Sequence, residues 1–282
     1  MSLPPILFED DSLIAFDKPS GLLVVPDAKD RRRESLMPLI HARFGDSVVN
    51  VHRIDSEASG VFLCAKTKLA QDFVSGQFQS KTALKKFLAL VVALPAQEPT
   101  NKLLTQTRSS LGALLDEFSI DAAIGEDEVQ KGRMRVIKKH GGQDSITEFS
   151  VLERFGRFNW IEVRPITGRR HQLRAHLAAA RAFVLNDRVY GDGTKLMLSD
   201  LKRGYKGRDA EKPLIARLAL HASEITIRHP LTRESLNIAA PLPDDLAIAL
   251  KNLRKFQPSA ARQSSKGRAE PEKFRSTTDG HG

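Results

Sequence analysis

A polar loop runs directly into a wholly apolar segment in the stretch Val51-His52-Arg53-Ile54-Asp55-Ser56-Glu57-Ala58-Ser59-Gly60-Val61-Phe62-Leu63-Cys64-Ala65. The apolar part, from Gly60 to Ala65, predicts a buried strand. The small turn residues before it can present Asp55 beside the end of that strand. Two interpretations of Asp55 follow: it caps the turn and pairs with Arg53, or it serves a functional site. Loop carboxylates usually form Asx-turns, so the spacing alone favours the structural interpretation.

Short strands and helices are predicted on either side of this stretch. Leu69, Phe73 and Phe78 predict an amphipathic helix over Lys68–Phe78, and Phe87–Leu94 predicts an apolar strand. The remaining predicted elements are two short strands within Ile6–Phe16, a helix over Glu34–Phe44, strands over Ser145–Arg154, Asn159–Arg164, Phe183–Leu185 and Leu218–Ile227, and a helix from Thr167 to about Ala180. Strands outnumber helices without a regular βαβ alternation. The pattern therefore predicts an α+β fold, with a mixed, mostly antiparallel central sheet flanked by helices and loops.

The chain divides into a folded part and a polar tail. Residues 1–256 show no internal repeat and no Gly-rich phosphate loop, and they predict one folded domain. Residues 257–282 are rich in Ser, Arg, Lys, Gly and Glu and contain few apolar side chains. Such a segment cannot bury enough surface to offset the entropy of ordering. We therefore predict a disordered basic tail there.

Charge and cysteine content narrow the class of protein. Lys and Arg total 44 against 34 acidic residues, a net charge of +10. A basic balance of this size suits a polyanion such as a nucleic acid, although many basic cytosolic proteins bind none. Cys64 is the only cysteine, which excludes an intrachain disulfide framework and favours a reducing, cytoplasmic compartment. No segment approaches the roughly 20 apolar residues of a membrane-spanning helix, so we expect no membrane partner.

A second cluster is Arg164-Pro165-Ile166-Thr167-Gly168-Arg169-Arg170-His171-Gln172-Leu173-Arg174-Ala175-His176. Thr167 can cap a helix here, which would place Arg170 and Arg174 one turn apart on one face. Cations near a helix N-terminus oppose its dipole, so either an anion binds there or the face is simply solvated. His171 and His176 are five residues apart and no cysteine cluster accompanies them, so we expect no metal.

Two later segments favour structural roles when each is taken alone. Asn186–Asp192 is turn-rich and follows an apolar strand. His221 lies in an apolar run, where a hydrogen-bonded structural histidine is more common than a catalytic one.

Taken together and in order, however, these segments resemble the RluA-type family of RNA pseudouridine synthases. The resemblance covers roughly residues 6–250 and rests on an ordered set of motifs. These are Glu9-Asp10, Asp17-Lys18-Pro19-Ser20-Gly21, His52-Arg53-Ile54-Asp55 with Ser59-Gly60, Thr167-Gly168-Arg169-Arg170-His171-Gln172-Leu173-Arg174, Asp187 with Tyr190-Gly191, Leu220-His221-Ala222 and His229-Pro230.

The resemblance implies a function. The family isomerises uridine in RNA by breaking the N-glycosidic bond and rejoining the base through C5, with no cofactor or metal. Residues 1–256 would then be the pseudouridine synthase catalytic domain. Asp55 matches the catalytic aspartate, Arg174 the arginine that pairs with it, and Arg53 a wedge that fills the gap left by a flipped base. Further residues expected to bind the substrate are His52, Phe87, Arg170 and Leu173.

One departure from the family pattern affects the chemistry. The family usually places a Tyr two residues after a Lys, whereas this chain has Lys85-Lys86-Phe87. The Phe87 ring can stack on uracil, but it has no hydroxyl to relay a proton. The alternative function is therefore a non-catalytic RNA-binding protein or RNA chaperone on the same scaffold. A glycosidase is a more distant alternative, since it usually needs two carboxylates and the family match offers one.

The expected partner is structured RNA, either ribosomal RNA, transfer RNA or both. Recognition should depend on loop shape and splayed bases, because the deep groove of A-form RNA is inaccessible. Two basic clusters are candidates for backbone contacts or, equally, solvated loops: Lys131-Arg135-Lys138-Lys139 and Lys202-Arg203-Lys206-Arg208. The resemblance also suggests a monomer.

Overall fold

The computed structural model describes residues 2–27, 32–95, 104, 107–138, 140–205, 207 and 211–257. The strands in this part of the chain are β1 (Ile6–Glu9), β2 (Leu13–Lys18), β3 (Val49–Asn50), β4 (Ser59–Ala65), β5 (Leu84–Ala93), β6 (Glu117–Asp121), β7 (Ile124–Glu126), β8 (Met134–Val136), β9 (Ile146–Phe155), β10 (Phe158–Pro165), β11 (Ala182–Val184), β12 (Leu220–Arg228) and β13 (Ser235–Ala239). The helices are α1 (Leu36–Phe44), α2 (Lys68–Gln79), α3 (Gln172–Ala179), α4 (Leu198–Leu201) and α5 (Asp244–Phe256).

Eleven of these strands form one sheet. Its main path runs β1-β2-β4-β12-β5-β10-β9-β6, while β3, β11 and β13 pair with β4, β5 and β12. Among the described strands, β4 and β12 are the parallel pair, and the other neighbours are antiparallel. The strands β7 and β8 form a separate two-stranded sheet. This mixed, mostly antiparallel sheet with helices confirms the predicted α+β fold.

Apolar side chains cover both faces of the central strands. Successive side chains of a strand point to opposite faces, so Ile14 and Phe16 enter the larger core cluster while Leu13 and Ala15 enter the smaller one. The larger cluster includes buried residues of α1, α3 and α5, and the smaller includes those of α2. Burial on both faces explains why β4 is apolar from Gly60 to Ala65 rather than alternating with polar residues.

The parallel pairing of β4 with β12 depends on a glycine. Gly60 has a φ of +106°, and a Cβ added there would lie 2.1 Å from the carbonyl oxygen of Ala222. Beside this contact, the hydroxyl of Ser59 lies 3.0 Å from Nδ1 of the buried His221. The motifs Ser59-Gly60 and Leu220-His221-Ala222 therefore join two strands at the end of the sheet where the Asp55 loop enters β4.

Most predicted elements lie within a few residues of the observed ones. The helix predicted over Lys68–Phe78 is α2, and its first turn is capped by the hydroxyl of Thr67, which accepts from the N–H of Ala70 at 3.2 Å. The strand predicted over Phe87–Leu94 begins three residues earlier, at Leu84. The helix α5 ends at Phe256, and residues 258–282 of the predicted tail lie outside the described residues. None of the described helices is long and apolar enough to cross a membrane.

Candidate active site

A buried lysine and a tight turn hold the loop that carries Asp55. The ammonium of Lys18 donates to the carbonyls of Pro19, Leu22 and Ser56 at 2.8, 2.9 and 2.9 Å. The N–H of Gly21 also donates to the carbonyl of Ser56, at 2.8 Å. Burial lowers the pKa of Lys18 to about 7, against the opposing attraction of the Asp55 carboxylate. The Asp17–Gly21 motif therefore anchors the residue that directly follows Asp55.

The guanidinium of Arg174 binds Asp55 and two further carboxylates. Its Nε and Nη2 donate to the two oxygens of Asp187 at 2.7 Å each, and Nη2 also donates to Glu57 at 3.0 Å. Its Nη1 reaches Oδ2 of Asp55 at 3.3 Å. Among the described residues, no group donates a hydrogen bond to Oδ1 of Asp55. The carboxylate of Asp55 is thus held through one oxygen, and the other is uncommitted.

Arg174 stays charged although it is buried. Its side chain is 1% exposed and that of Asp187 is 0% exposed. Burial alone would lower the pKa of Arg174, but the hydrogen bonds and charges of Asp187, with the charges of Asp55 and Glu57, raise it above its usual value. A permanent cation therefore lies against Asp55. The interpretation in which Asp55 pairs with Arg53 is not what the structure shows, since the partner is Arg174.

The helix that carries Arg174 begins later than the sequence predicts. The prediction that Thr167 caps this helix is wrong, because α3 starts at Gln172 after His171, whose φ is +51°. The hydroxyl of Thr167 instead accepts from the N–H of Ile146 at 3.0 Å and donates to Oε1 of Gln172 at 2.8 Å. Consequently Arg170 precedes the helix and does not share a face with Arg174.

A cavity lies beside Asp55 and contains about 460 Å³ of empty space, part of it open to solvent. The apolar part of its described lining is formed by Ile54, Ala58, Phe87, Pro165, Leu173 and Leu220. The remaining lining residues are Arg53, Asp55, Lys85, Thr167, Gly168, Arg169, His171 and Gln172. The cavity is thus partly open, with an apolar wall on which a ring could pack and several polar groups that could orient it. Four of the predicted site residues line it: Arg53, Asp55, Phe87 and Leu173.

The other predicted site residues lie elsewhere. Arg174 is buried behind Asp55, and Arg170 is exposed outside the cavity lining. His52 packs its ring between Phe62 and Phe78, at centroid distances of 5.6 and 5.4 Å, and its Nε2 accepts from the N–H of Leu63. Burial, with the nearby charge of Lys85, lowers the pKa of His52 to about 3, so its ring is neutral.

His171 lines the cavity and is oriented by Tyr190. The hydroxyl of Tyr190 accepts from the N–H of Met134 at 2.8 Å and lies 3.2 Å from Nδ1 of His171. The donor in the contact with Nδ1 is set by the tautomer of the His171 ring, because the Tyr190 hydroxyl can donate to Nδ1 or accept from it. Burial lowers the pKa of His171, and Arg174 and Arg170 add to this while Asp55 opposes it.

Sequence reasoning missed Glu57, Asp187 and Lys85 as site residues. Asp187 belongs to a turn whose local sequence indicates a turn and nothing more, and its Oδ1 does accept from the N–H groups of Val189 and Tyr190. Glu57 lies two residues after Asp55, a spacing that could have suggested a second carboxylate at the site. No group of three or more His, Cys, Asp or Glu suited to a metal ion occurs within the described ranges.

Comparisons with known proteins identify relatives of this chain. Residues 12–179 match the family described as RNA pseudouridylate synthase. The chain is 30% identical over 267 residues to a Xanthomonas campestris protein named ribosomal large subunit pseudouridine synthase D, covering 91% of this chain and 71% of that protein. A protein of the same name from Xylella fastidiosa is 31% identical over 259 residues, covering 88% and 69%.

Solved structures share the fold. The structure titled human RNA pseudouridylate synthase domain containing 4 superposes with a TM-score of 0.61 at 25% identity, covering 88% of this chain and 92% of that one. The structure titled human RNA pseudouridylate synthase domain containing 1 gives 0.58 at 22% identity, covering 84% and 83%. By the family match over more than half its length and by these relatives, the chain belongs to the RNA pseudouridylate synthase family.

Proposed function

We propose that this protein converts uridine in structured RNA to pseudouridine, with Asp55 as the catalytic carboxylate. The proposal rests on how the Asp55 side chain is held beside the cavity. One of its oxygens is held by the permanent cation of Arg174, and the other is uncommitted beside the apolar wall formed by Phe87 and Leu173. A carboxylate anchored through one oxygen and facing a partly apolar cavity suits attack on a flipped nucleoside or removal of a proton from it.

The reaction leaves the composition of the nucleotide unchanged. The bond from C1′ to N1 breaks, the uracil turns, a bond from C1′ to C5 forms, the C5 proton is lost to solvent and N1 is protonated. The uridine must leave its stack to reach Asp55, which costs a few kcal/mol. Arg53, exposed at the cavity, is positioned to occupy the space left in the RNA, and the ring of Phe87 offers a stacking surface.

Among the described residues that line the cavity, no uncommitted hydroxyl replaces the one missing at Phe87. The hydroxyl of Thr167, which lines the cavity, already accepts from Ile146 and donates to Gln172. That of Tyr190 is engaged with Met134 and His171. We infer that a water molecule accepts the C5 proton, which Asp55 can orient through its uncommitted oxygen.

Large-subunit ribosomal RNA is the substrate to test first, because the relatives from Xanthomonas campestris and Xylella fastidiosa carry that target in their names. Transfer RNA is the second. We also propose a cytoplasmic monomer. The buried thiol of Cys64, whose pKa burial raises to about 12, is unreactive and compatible with a reducing compartment. Light scattering at assay concentration measures the oligomeric state.

Tritium release from RNA labelled at uridine C5 tests the activity. The wild type should release tritium from RNA of a strain that lacks the protein, and Asp55→Asn should abolish release while RNA affinity stays within a few-fold, because phosphate contacts dominate affinity. Asp72→Asn is the matched control, since Asp72 is an exposed carboxylate on α2 paired with Lys68. Its turnover should equal that of the wild type.

Two outcomes would contradict the proposal. Parallel loss of binding and turnover in Asp55→Asn would make Asp55 structural. No release by the wild type from ribosomal or transfer RNA, with tight RNA binding retained, would favour an RNA-binding protein or chaperone and would point to Phe87 as the cause.

A further inference from the structure

A second concave surface adjoins the cavity, and we name it the side groove. It shares Arg53, Lys85, Thr167, Gly168 and Arg169 with the cavity lining, whereas Lys81 lines the groove and not the cavity. Among its described lining residues are four cations and no carboxylate. His52, which also lines it, is neutral. The side groove is therefore a uniformly positive surface continuous with the candidate active site.

Lys85 is left without a partner among the described residues, in contrast to its neighbour on the strand, whereas Nε of Arg169 donates to the carbonyl of Asp144 at 3.3 Å. Lys86, the next residue on β5, pairs with Glu224 at 3.3 Å and Glu162 at 3.8 Å. Lys85 makes no hydrogen bond or ion pair with any described residue, and its ammonium lies 5.6 Å from the centroid of the Phe78 ring. The two lysines point to opposite faces of one strand. The sheet thus neutralises the lysine on one face and leaves the lysine facing the groove unpaired.

The backbone makes room for this ammonium. A Cβ added at Gly168 would lie 3.2 Å from Nζ of Lys85, and the φ of Gly168 is not in the left-handed region. A larger residue at position 168 would press on the Lys85 ammonium and displace it by a few tenths of an ångström. Desolvation lowers the pKa of Lys85 to about 8, as expected for a half-buried cation with no counter-charge. A bound anion would supply that counter-charge.

We propose that the side groove binds a phosphate of the RNA backbone next to the target uridine, with Lys85 as its principal ligand and Lys81, Arg53 and Arg169 around it. The inference rests on the proposed function and specifies how the substrate is held there. Uracil also carries negative charge when its bond to C1′ breaks, and Lys85 borders the cavity as well. The phosphate is favoured because Lys81 lines the groove and not the cavity.

A site-resolved titration distinguishes these two sources of negative charge. The wild-type protein with isotope-labelled lysine is titrated with uridine, uridine 3′- and 5′-monophosphates, or inorganic phosphate while the Lys85 ammonium is followed by NMR. Lys85→Met assigns the signal, and Lys86→Met is the control. We expect a saturable shift of Lys85 with the phosphate-bearing ligands and none with uridine. A response to uridine alone, or no saturable response to any phosphate, would overturn the proposal.

Kinetics on RNA supply the second test. Lys85→Met should raise KM about tenfold and leave kcat within about twofold, since a charge-assisted contact to the bound substrate is lost. The slope of log(kcat/KM) against log salt concentration should fall by about one unit, as for one lost phosphate contact. Lys86→Met should change neither. A fall in kcat with unchanged KM and salt slope would place Lys85 on the uracil and refute the phosphate site.

Failure of the proposed function is separable from failure of this inference. A wild type that turns over no RNA would remove the proposed activity, whereas the NMR titration would still decide whether the side groove binds phosphate.

Discussion

Replacing Asp187 with Asn should destabilise the protein and disable its candidate active site. Asp187 is fully buried and accepts two hydrogen bonds of 2.7 Å from the guanidinium of Arg174. An asparagine keeps the size of the side chain and one oxygen that can still accept from the N–H groups of Val189 and Tyr190. The substitution therefore removes the counter-charge of a buried cation while leaving the turn in place.

The magnitude follows from the burial. Removing one member of a buried ion pair typically costs about 3–5 kcal/mol. Glu57 and Asp55 still contact the guanidinium, at 3.0 and 3.3 Å, so we expect the lower end, about 3 kcal/mol. For a domain of this size that corresponds to a fall in Tm of roughly 6–12 °C. Arg174 would also shift towards the remaining carboxylates, so kcat should fall at least tenfold, as an order-of-magnitude estimate for a displaced catalytic partner.

The chain offers a matched control in Arg217 and Asp245. This pair has the same two-pronged geometry, with hydrogen bonds of 2.8 and 2.7 Å, but its side chains are 20% and 34% exposed. Solvent screening limits such a pair to about 1 kcal/mol or less. Urea unfolding of Asp187→Asn and Asp245→Asn, with tritium release measured well below each Tm, compares them. Equal losses of stability in the two variants, or a loss below 1 kcal/mol for Asp187→Asn, would refute the reasoning from burial.

Two further predictions concern stacking and acid stability. Phe87→Ala should lower kcat/KM about 10–100-fold, because base stacking on an aromatic ring contributes about 1–3 kcal/mol. Phe87→Tyr should be at least as active as the wild type. An unchanged kcat/KM in Phe87→Ala would exclude stacking. Burial raises the pKa of Asp10, but hydrogen bonds from the N–H groups of Leu13 and Ser12 and from His229 outweigh it, so the pKa lies below the usual 3.8. A carboxyl with a lowered pKa stabilises the fold above its unfolded-state pKa and loses that contribution as pH falls through its folded-state pKa. Asp10→Asn should therefore lower the free energy of unfolding at pH 7 by about 1 kcal/mol. Acid titration of both proteins should show the difference begin to shrink as the pH falls below 3.8 and vanish below the folded-state pKa of Asp10. An undiminished difference at pH 2 would contradict this.

Elements whose cause is local were predictable from the chain. The spacing of apolar residues in Lys68–Gln79 predicts a helix with one buried face. The unbroken apolar run from Gly60 to Ala65 in β4 predicts a strand that is buried on both faces. The start of α3 was not predictable in this way. The hydroxyl of Thr167 has the chemistry of a helix cap, but the side chain of Gln172 and the N–H of Ile146 occupy it. Hydrogen bonds to a distant strand and to the Gln172 side chain have thus replaced the helix-capping hydrogen bond that the local sequence predicts.

The candidate site likewise contains residues that the sequence identified and residues that only the folded structure brings together. Motif order alone led to Asp55, Arg174, Arg53 and Phe87, because these side chains stand in recognisable sequence contexts. Asp187 stood in one of the motifs without an assigned role, and Glu57 stood between two motifs, because both roles depend on reaching the guanidinium of Arg174. The difference between Lys85 and Lys86 is similar: adjacent lysines look alike in the chain, and only the sheet gives acidic partners to Lys86.

Local patterns thus determine which segments become strands and helices, because hydrophobic periodicity and turn chemistry act between residues a few positions apart. The tertiary structure decides which charges are compensated. Arg174 meets Asp55 across 119 residues of chain and Asp187 across 13. The strength of such an ion pair, and the cost of leaving a cation unpaired, depend on how far water is excluded around the charges. The exclusion of water is a property of the folded arrangement rather than of any one segment.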